Sequence, residues 1–250
     1  MNKQDTGCKS TQADKVEKQI VYHEFGHVLG YYFSNELGFK FGEIEKIALE
    51  DKNTFVKLFP TLYEFPEKFD SSDSEKLLGE VNDNKRKFIC YVLYVVSGAV
   101  FNVYYFPKMS KDVAFKKIFD NNNKTKDGKI TARAGKDFRW IDRRMFHLKW
   151  GHYNLKKIIN ISRELFDILD KNLVFKHLIA EKRLIEVFEE KFNGRITSSE
   201  QTKDKQMIED LLKNIDDAIP LSNKEKLKSD INSLIDKYVE EITRCQIEII

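Results

Sequence analysis

The stretch "VYHEFGHVLGYY", residues 21–32, decides how the rest of this 250-residue chain is interpreted. Residues four positions apart lie on the same face of a helix, so His23 and His27 are expected to point the same way, with Glu24 beside them. Apolar residues recur around them at helical spacing. Residues 11–35 are therefore predicted to form an amphipathic helix.

Two histidines at this spacing, with a glutamate after the first, form the HExxH pattern, in which both imidazoles bind zinc and the glutamate acts as a general base. Gly26 and Gly30 lie in the same helix, although each glycine costs about 1 kcal/mol relative to alanine there. They predict that another element packs very close to this face. The alternative is a pair of core histidines satisfied by hydrogen bonds, with Glu24 at the surface.

A catalytic zinc ion takes three protein ligands and leaves one position for water, so a third ligand must come from elsewhere in the chain. The extended pattern HExxHxxGxxH is absent, because Phe33 stands where the last histidine would be. Sequence spacing does not choose among the more distant candidates, which are Asp137, Asp142, Glu164, His147 and His152.

The overall composition argues against a nucleic-acid-binding protein. The chain has 43 Lys and Arg against 40 Asp and Glu, and its net charge of +3 is spread without a basic stripe. Its three cysteines, Cys8, Cys90 and Cys245, are odd in number and far apart, which favours a reducing compartment. Residues 1–18 lack the apolar core of a signal peptide, and a cytoplasmic location is expected.

One uncharged apolar run, "FICYVLYVVSGAVFNVYYF" at residues 88–106, is long enough to cross a bilayer. Ser97, Gly98 and Asn102 interrupt it, and long apolar runs also fill the centres of helical domains. We predict a buried core helix here, and a membrane association is not expected.

The remaining segments predict a mainly α (α+β) fold. Gly38 is expected to end the first helix, and two short β-prone runs around "EDKN" predict a β-hairpin over residues 43–59. A helix is then predicted over about residues 72–107. From Asp137 onward the chain has helical periodicity, broken at "NG" (193–194).

Residues 201–250 carry an apolar stripe at helical spacing. It is expected to pack on the body of the protein, while a partner or self-association helix is the alternative. Its members are Leu227, Ile231, Leu234, Tyr238 and Ile242.

The segment "YHEFGHVLG" resembles the "HEAGHA" helix of FtsH-type zinc metalloproteases, the peptidase half of membrane AAA proteases. "YVLYVVSGAVFN" (91–102) is similar to their "GGRAAE" helix, and "ARAGKDFRWIDRRM" (132–145) to their "GASNDLEQAT" segment. The hairpin stands where those proteases carry strands beside the active site. With a similar late segment at 178–200, the resemblance covers about residues 15–200.

The resemblance implies a role for each matching residue. It makes His23 and His27 zinc ligands, Glu24 the general base and Asp137 the third ligand, with Asp142 in reserve. It thus implies a Zn²⁺ cofactor and a helical zinc-metalloprotease domain with a β-hairpin or short sheet near the active site.

The resemblance implies an FtsH-peptidase-like domain over residues 1–200, followed by a C-terminal helical extension over 201–250. No glycine-rich phosphate loop is found, so the expected activity is an ATP-independent metalloendopeptidase that cleaves unfolded or flexible polypeptides. Asn102 replaces the glutamate of the "GGRAAE" pattern. A catalytically inactive, metalloprotease-like binding or regulatory protein is therefore the alternative.

Overall fold

The structure is a computed structural model that describes residues 12–39, 43–49, 54–59, 74–106, 109–119, 141, 155–193 and 196–247. Within these ranges the chain is mainly helical with one small antiparallel sheet, so the predicted mainly α (α+β) class is confirmed at this level. The helices are α1 (Gln12–Glu36), α2 (Ser74–Tyr105), α3 (Lys111–Phe119), α4 (Leu155–Lys171), α5 (Leu184–Phe192), α6 (Thr202–Ala218) and α7 (Leu221–Ile247). A π-helical turn (Lys176–Glu181) precedes α5.

Helix α1 ends at Glu36, and Gly38 is the residue that stops it, as predicted. The φ angle of Gly38 is +83°, a left-handed conformation that glycine adopts without steric strain. Its N–H donates to the Asn35 carbonyl, and the N–H of Phe39 donates to the Ser34 carbonyl, both at 2.9 Å. These two bonds form a Schellman motif, which satisfies carbonyl groups at the end of the helix.

The predicted hairpin is present and is extended by a strand that the sequence did not predict. Strands β1 (Glu43–Leu49) and β2 (Thr54–Phe59) pair antiparallel, and β3 (Ile196–Ser198) pairs with the other edge of β1. The order β2-β1-β3 leaves β2 at one edge of the described sheet. A register shift between Ile44 and Lys46 marks a β-bulge in β1.

Helix α2 is the centre of the fold. It packs against α1, α3, α4 and α7, and side chains such as Phe88, Val96 and Phe101 are fully buried. Its segment Asn84–Tyr105 is long and apolar enough to cross a membrane, but most of it is buried inside the described fold. The predicted burial of this apolar run is confirmed.

The C-terminal helices pack on the same core. Helix α7 contacts α2 and α4, and all five side chains of its predicted apolar stripe are at most 4% exposed. The stripe therefore covers the body of the protein within the chain, as the first of the two interpretations predicts.

Candidate metal centre

The centre is formed where α1 crosses α2 at very short range. A Cβ atom on Gly26 would overlap the carbonyl oxygen of Ser97, and one on Gly30 would stand 2.8 Å from Ser97 Oγ and 2.9 Å from Tyr94 Cα. Such distances do not occur between real side chains and their neighbours, so both positions require glycine unless the helices move apart. The close packing predicted from the two glycines is confirmed.

This packing holds the two histidines of the motif next to each other. His23 and His27 are 3% and 8% exposed, and their Nε2 atoms lie 3.1 Å apart. Two nitrogen ligands at about 2.0–2.1 Å from a tetrahedral zinc ion would lie about 3.3 Å apart. The distance between the two nitrogens therefore suits shared coordination of one ion.

The outer nitrogens of both rings also have partners. His27 Nδ1 lies 3.3 Å from the carbonyl oxygen of Tyr94. A carbonyl oxygen can only accept, so the proton of neutral His27 lies on Nδ1 and the lone pair on Nε2. This is the tautomer in which a histidine binds metal through Nε2 while a backbone carbonyl orients it.

Asn102 of α2 is the partner of His23. Its Nδ2 atom lies 3.1 Å from His23 Nδ1, so in this orientation the amide donates and the proton of neutral His23 lies on Nε2. His23 Nε2 then donates to His27 Nε2, and the chain of hydrogen bonds runs in one direction from Asn102 to Tyr94. Asn102 is 1% exposed, and its Oδ1 atom has no hydrogen-bond partner among the described residues.

Gly98 of α2 lies directly against both imidazole rings. A Cβ atom here would stand 2.7 Å from His23 Cε1 and 2.8 Å from His27 Nε2. Only a residue without a side chain allows α2 to lie against both rings. Three features together fit two ligands of a zinc ion: the close approach of Gly98, the distance between the two Nε2 atoms, and the Asn102 Oδ1 atom without a hydrogen bond among the described residues.

Glu24, which follows His23 in α1, is buried, with 3% exposure. Burying a carboxylate is costly unless other groups compensate for the lost hydration. The hypothesis of ordinary core histidines placed Glu24 at the surface, and the structure contradicts that point.

The third ligand stays a prediction. Asp137 and Asp142 lie outside the described residues, as do His147 and His152. Across the described ranges, no group of three His, Cys, Asp or Glu side chains could hold a metal ion.

Glu164, the remaining candidate ligand, is engaged in α4. Its carboxylate accepts from Lys237 Nζ at 2.6 Å and from the Tyr238 hydroxyl at 3.0 Å, both on α7. It is not brought together with His23 and His27.

The sheet lies next to this centre through Tyr94. The Tyr94 hydroxyl donates to the carbonyl oxygen of Val56 in β2 at 3.4 Å, while its own backbone carbonyl accepts from His27. Strand β2 also packs against α1. The expectation of a short sheet close to the two histidines is therefore met.

No sequence pattern pointed to Gly98 or Tyr94 as part of the centre. Asn102 stood out as an interruption of the apolar run and as a departure from the "GGRAAE" pattern. The one available signal was the position of Asn102 in the segment aligned with "GGRAAE".

Neither protein-family models, nor curated proteins, nor solved structures give a match to this chain. The resemblance to the FtsH-type proteases therefore stays a prediction that depends on the motif residues themselves.

Proposed function

We propose that this chain is a zinc-dependent metalloendopeptidase that hydrolyses peptide bonds of unfolded or flexible polypeptides without ATP. The observation that carries the proposal is the pair of buried imidazoles whose Nε2 atoms lie 3.1 Å apart. Their spacing on α1 and the buried Glu24 between them match the HExxH pattern.

In the proposed site His23, His27 and Asp137 bind the metal and Glu24 is the general base. When bound, zinc supplies a Lewis acid that lowers the pKa of a coordinated water molecule toward about 7 and polarises the scissile carbonyl. Glu24 would take a proton from the attacking water and pass it to the leaving amine. The packing of α2 over the imidazoles limits the access of other water molecules to this side of the rings.

Strand β2 is the proposed docking edge for the substrate. It is an edge strand of the described sheet and is linked to His27 through Tyr94. An extended peptide that pairs with such an edge gains backbone hydrogen bonds with little demand on its sequence. Flexible chains supply extended segments, which is why unfolded polypeptides are the proposed substrates.

A second function is favoured by one residue of α2. Asn102 stands where the resembled family has a glutamate. A chain that keeps the metal but has lost this polar network would serve as a binding or regulatory protein. Metal content without hydrolysis of any denatured substrate would support this alternative.

Metal content tests the site first. Mass spectrometry of the purified parent is expected to find about one zinc ion per chain. The ion should be lost in His23→Ala and in Asp137→Ala. His177→Ala is the matched control, since His177 pairs with Glu181 away from the two motif histidines. A parent that takes up no zinc, even after incubation with it, would overturn the proposal.

Peptide hydrolysis tests the chemistry. Glu24→Gln should keep the zinc ion and lose cleavage of casein by at least about 100-fold, because the general base is removed while the ligands stay. Glu164→Gln is the control and should keep both the ion and the activity. A Glu24→Gln protein that cleaves as fast as the parent would rule out this mechanism.

A further inference from the structure

Asn102 has a buried side-chain amide in contact with His23, a proposed zinc ligand. Only one of the two polar atoms of this amide forms a hydrogen bond within the described residues. Its Nδ2 atom serves His23 Nδ1 at 3.1 Å, whereas its Oδ1 atom finds no partner among the described residues. A buried polar atom without a hydrogen bond is rare in native proteins and calls for an explanation.

The tautomer of His23 supplies that explanation. Because Asn102 Nδ2 can only donate to His23 Nδ1, the proton of neutral His23 must lie on Nε2, where it faces His27 Nε2. That nitrogen is then unable to bind a metal ion, because its lone pair is not free. To coordinate zinc beside His27, neutral His23 must carry its proton on Nδ1, and this N–H needs an acceptor.

We propose that Asn102 is a positioning residue whose side-chain amide turns over by about 180° when zinc binds, so that Oδ1 accepts the Nδ1 proton of His23. The proposal rests on the zinc site proposed above. An amide can donate to His23 in the metal-free state and accept from it in the metal-bound state, because it carries both kinds of group. A carboxylate can only accept, and an apolar side chain can do neither.

His27 does not need such a partner. Its Nδ1 proton already points to the Tyr94 carbonyl, so its Nε2 lone pair is directed at the ion position with or without metal. The two histidines therefore reach their metal-binding tautomers in different ways. His27 is held by fixed backbone, whereas His23 changes tautomer together with one side-chain amide.

Nitrogen NMR of the full chain with ¹⁵N-labelled histidine tests this on the unsubstituted protein. Before zinc is added, His23 should show the Nε2–H tautomer and His27 the Nδ1–H tautomer. After zinc is added, both should show Nδ1–H with Nε2 bound. Single substitutions of each histidine assign the signals. A His23 that is Nδ1–H before zinc is added would overturn the inference.

Zinc affinity of Asn102 variants gives a second test. Asn102→Leu should weaken binding by about 10- to 100-fold, the usual loss when the partner of a metal-bound histidine is removed. Asn102→Asp should bind at least as tightly as the parent, because a carboxylate accepts the same proton. The control is Asn172→Leu.

Asn172 suits this control because it is also a 1% exposed asparagine with an orphaned Oδ1, but its amide bonds Asp230 on α7. Equal zinc affinities in Asn102→Leu and Asn172→Leu would overturn the role of Asn102 while leaving the zinc site intact. A parent without zinc affinity would instead reject the proposed function itself.

Discussion

Gly98 lies against the imidazole of His23, and a Cβ atom at this glycine would stand 2.7 Å from His23 Cε1. Alanine normally stabilises a helix by about 1 kcal/mol relative to glycine. At this position the added methyl group overlaps both rings, and overpacking of a core usually costs about 1–3 kcal/mol. The glycine is therefore a requirement of the centre rather than of the helix.

Gly98→Ala is expected to lower the free energy of unfolding by about 1–3 kcal/mol and to abolish zinc binding, because the imidazoles must move. Leu227→Ala is the control. Leu227 is a buried side chain of α7, not of α1 or α2, so its truncation should destabilise the protein while the ion is kept. Urea unfolding and metal analysis measure the two effects. A Gly98→Ala protein with full stability and full zinc content would contradict this account.

The hydroxyl of Tyr32 ties α1 to the C-terminal helices. It donates to Asp216 Oδ1 at 2.5 Å, and Lys224 Nζ lies 2.6 Å from the same oxygen. Tyr32→Phe should lower the free energy of unfolding at pH 7 by about 1.5–3 kcal/mol, the usual value for a hydrogen bond to a charged group. Thermal unfolding of both proteins measures it.

The stability that Tyr32→Phe loses should decrease at low pH. Hydrogen bonds from Lys224 and then from Tyr32 hold the pKa of Asp216 below its ordinary value of about 3.9. The ionised Asp216 carboxylate therefore adds to the free energy of unfolding above about pH 4. This stabilisation is lost as the pH falls through the pKa of Asp216 in the folded protein. The difference in Tm between parent and Tyr32→Phe should narrow below pH 4. A constant difference from pH 7 to pH 2 would exclude this origin.

The thiol of Cys90 is expected to be inert in the folded protein. Burial raises its pKa to about 12, against a smaller opposing effect of a hydrogen bond to Ser34. At pH 8 its thiolate fraction is on the order of a thousandfold below that of an ordinary cysteine. Iodoacetamide followed by peptide mass spectrometry should label Cys90 only after denaturation. Rapid labelling of the native protein would show that the core opens at α2.

Two leucines of α7 test whether the C-terminal helices belong to the core. Leu227 is 1% exposed and Leu221 is 72% exposed. Leu227→Ala should cost about 2–5 kcal/mol of unfolding free energy, because it leaves a cavity, whereas Leu221→Ala should stay within about 0.5 kcal/mol of the parent. Denaturant unfolding gives both values. Equal small effects would indicate that α7 does not contribute to the same folding unit.

Local patterns predicted most of the secondary structure, because they depend on neighbours in sequence. The bounds of α1, its end at Gly38 and the hairpin of β1 and β2 follow from periodicity and turn residues. Strand β3 was missed, since three residues carry no periodic signal and their conformation depends on pairing with a strand about 150 positions away.

By itself, the sequence determined that His23 and His27 share a face of one helix, because a spacing of four residues needs no tertiary contact to align them. The sequence also indicated that another element packs closely against Gly26 and Gly30. Only the tertiary structure decided that this neighbour is α2, that Glu24 is buried, and that Asn102, 79 positions away, partners His23. Those features arise from the packing of distant segments, and the distance between two packed helices is not encoded in the period of either one.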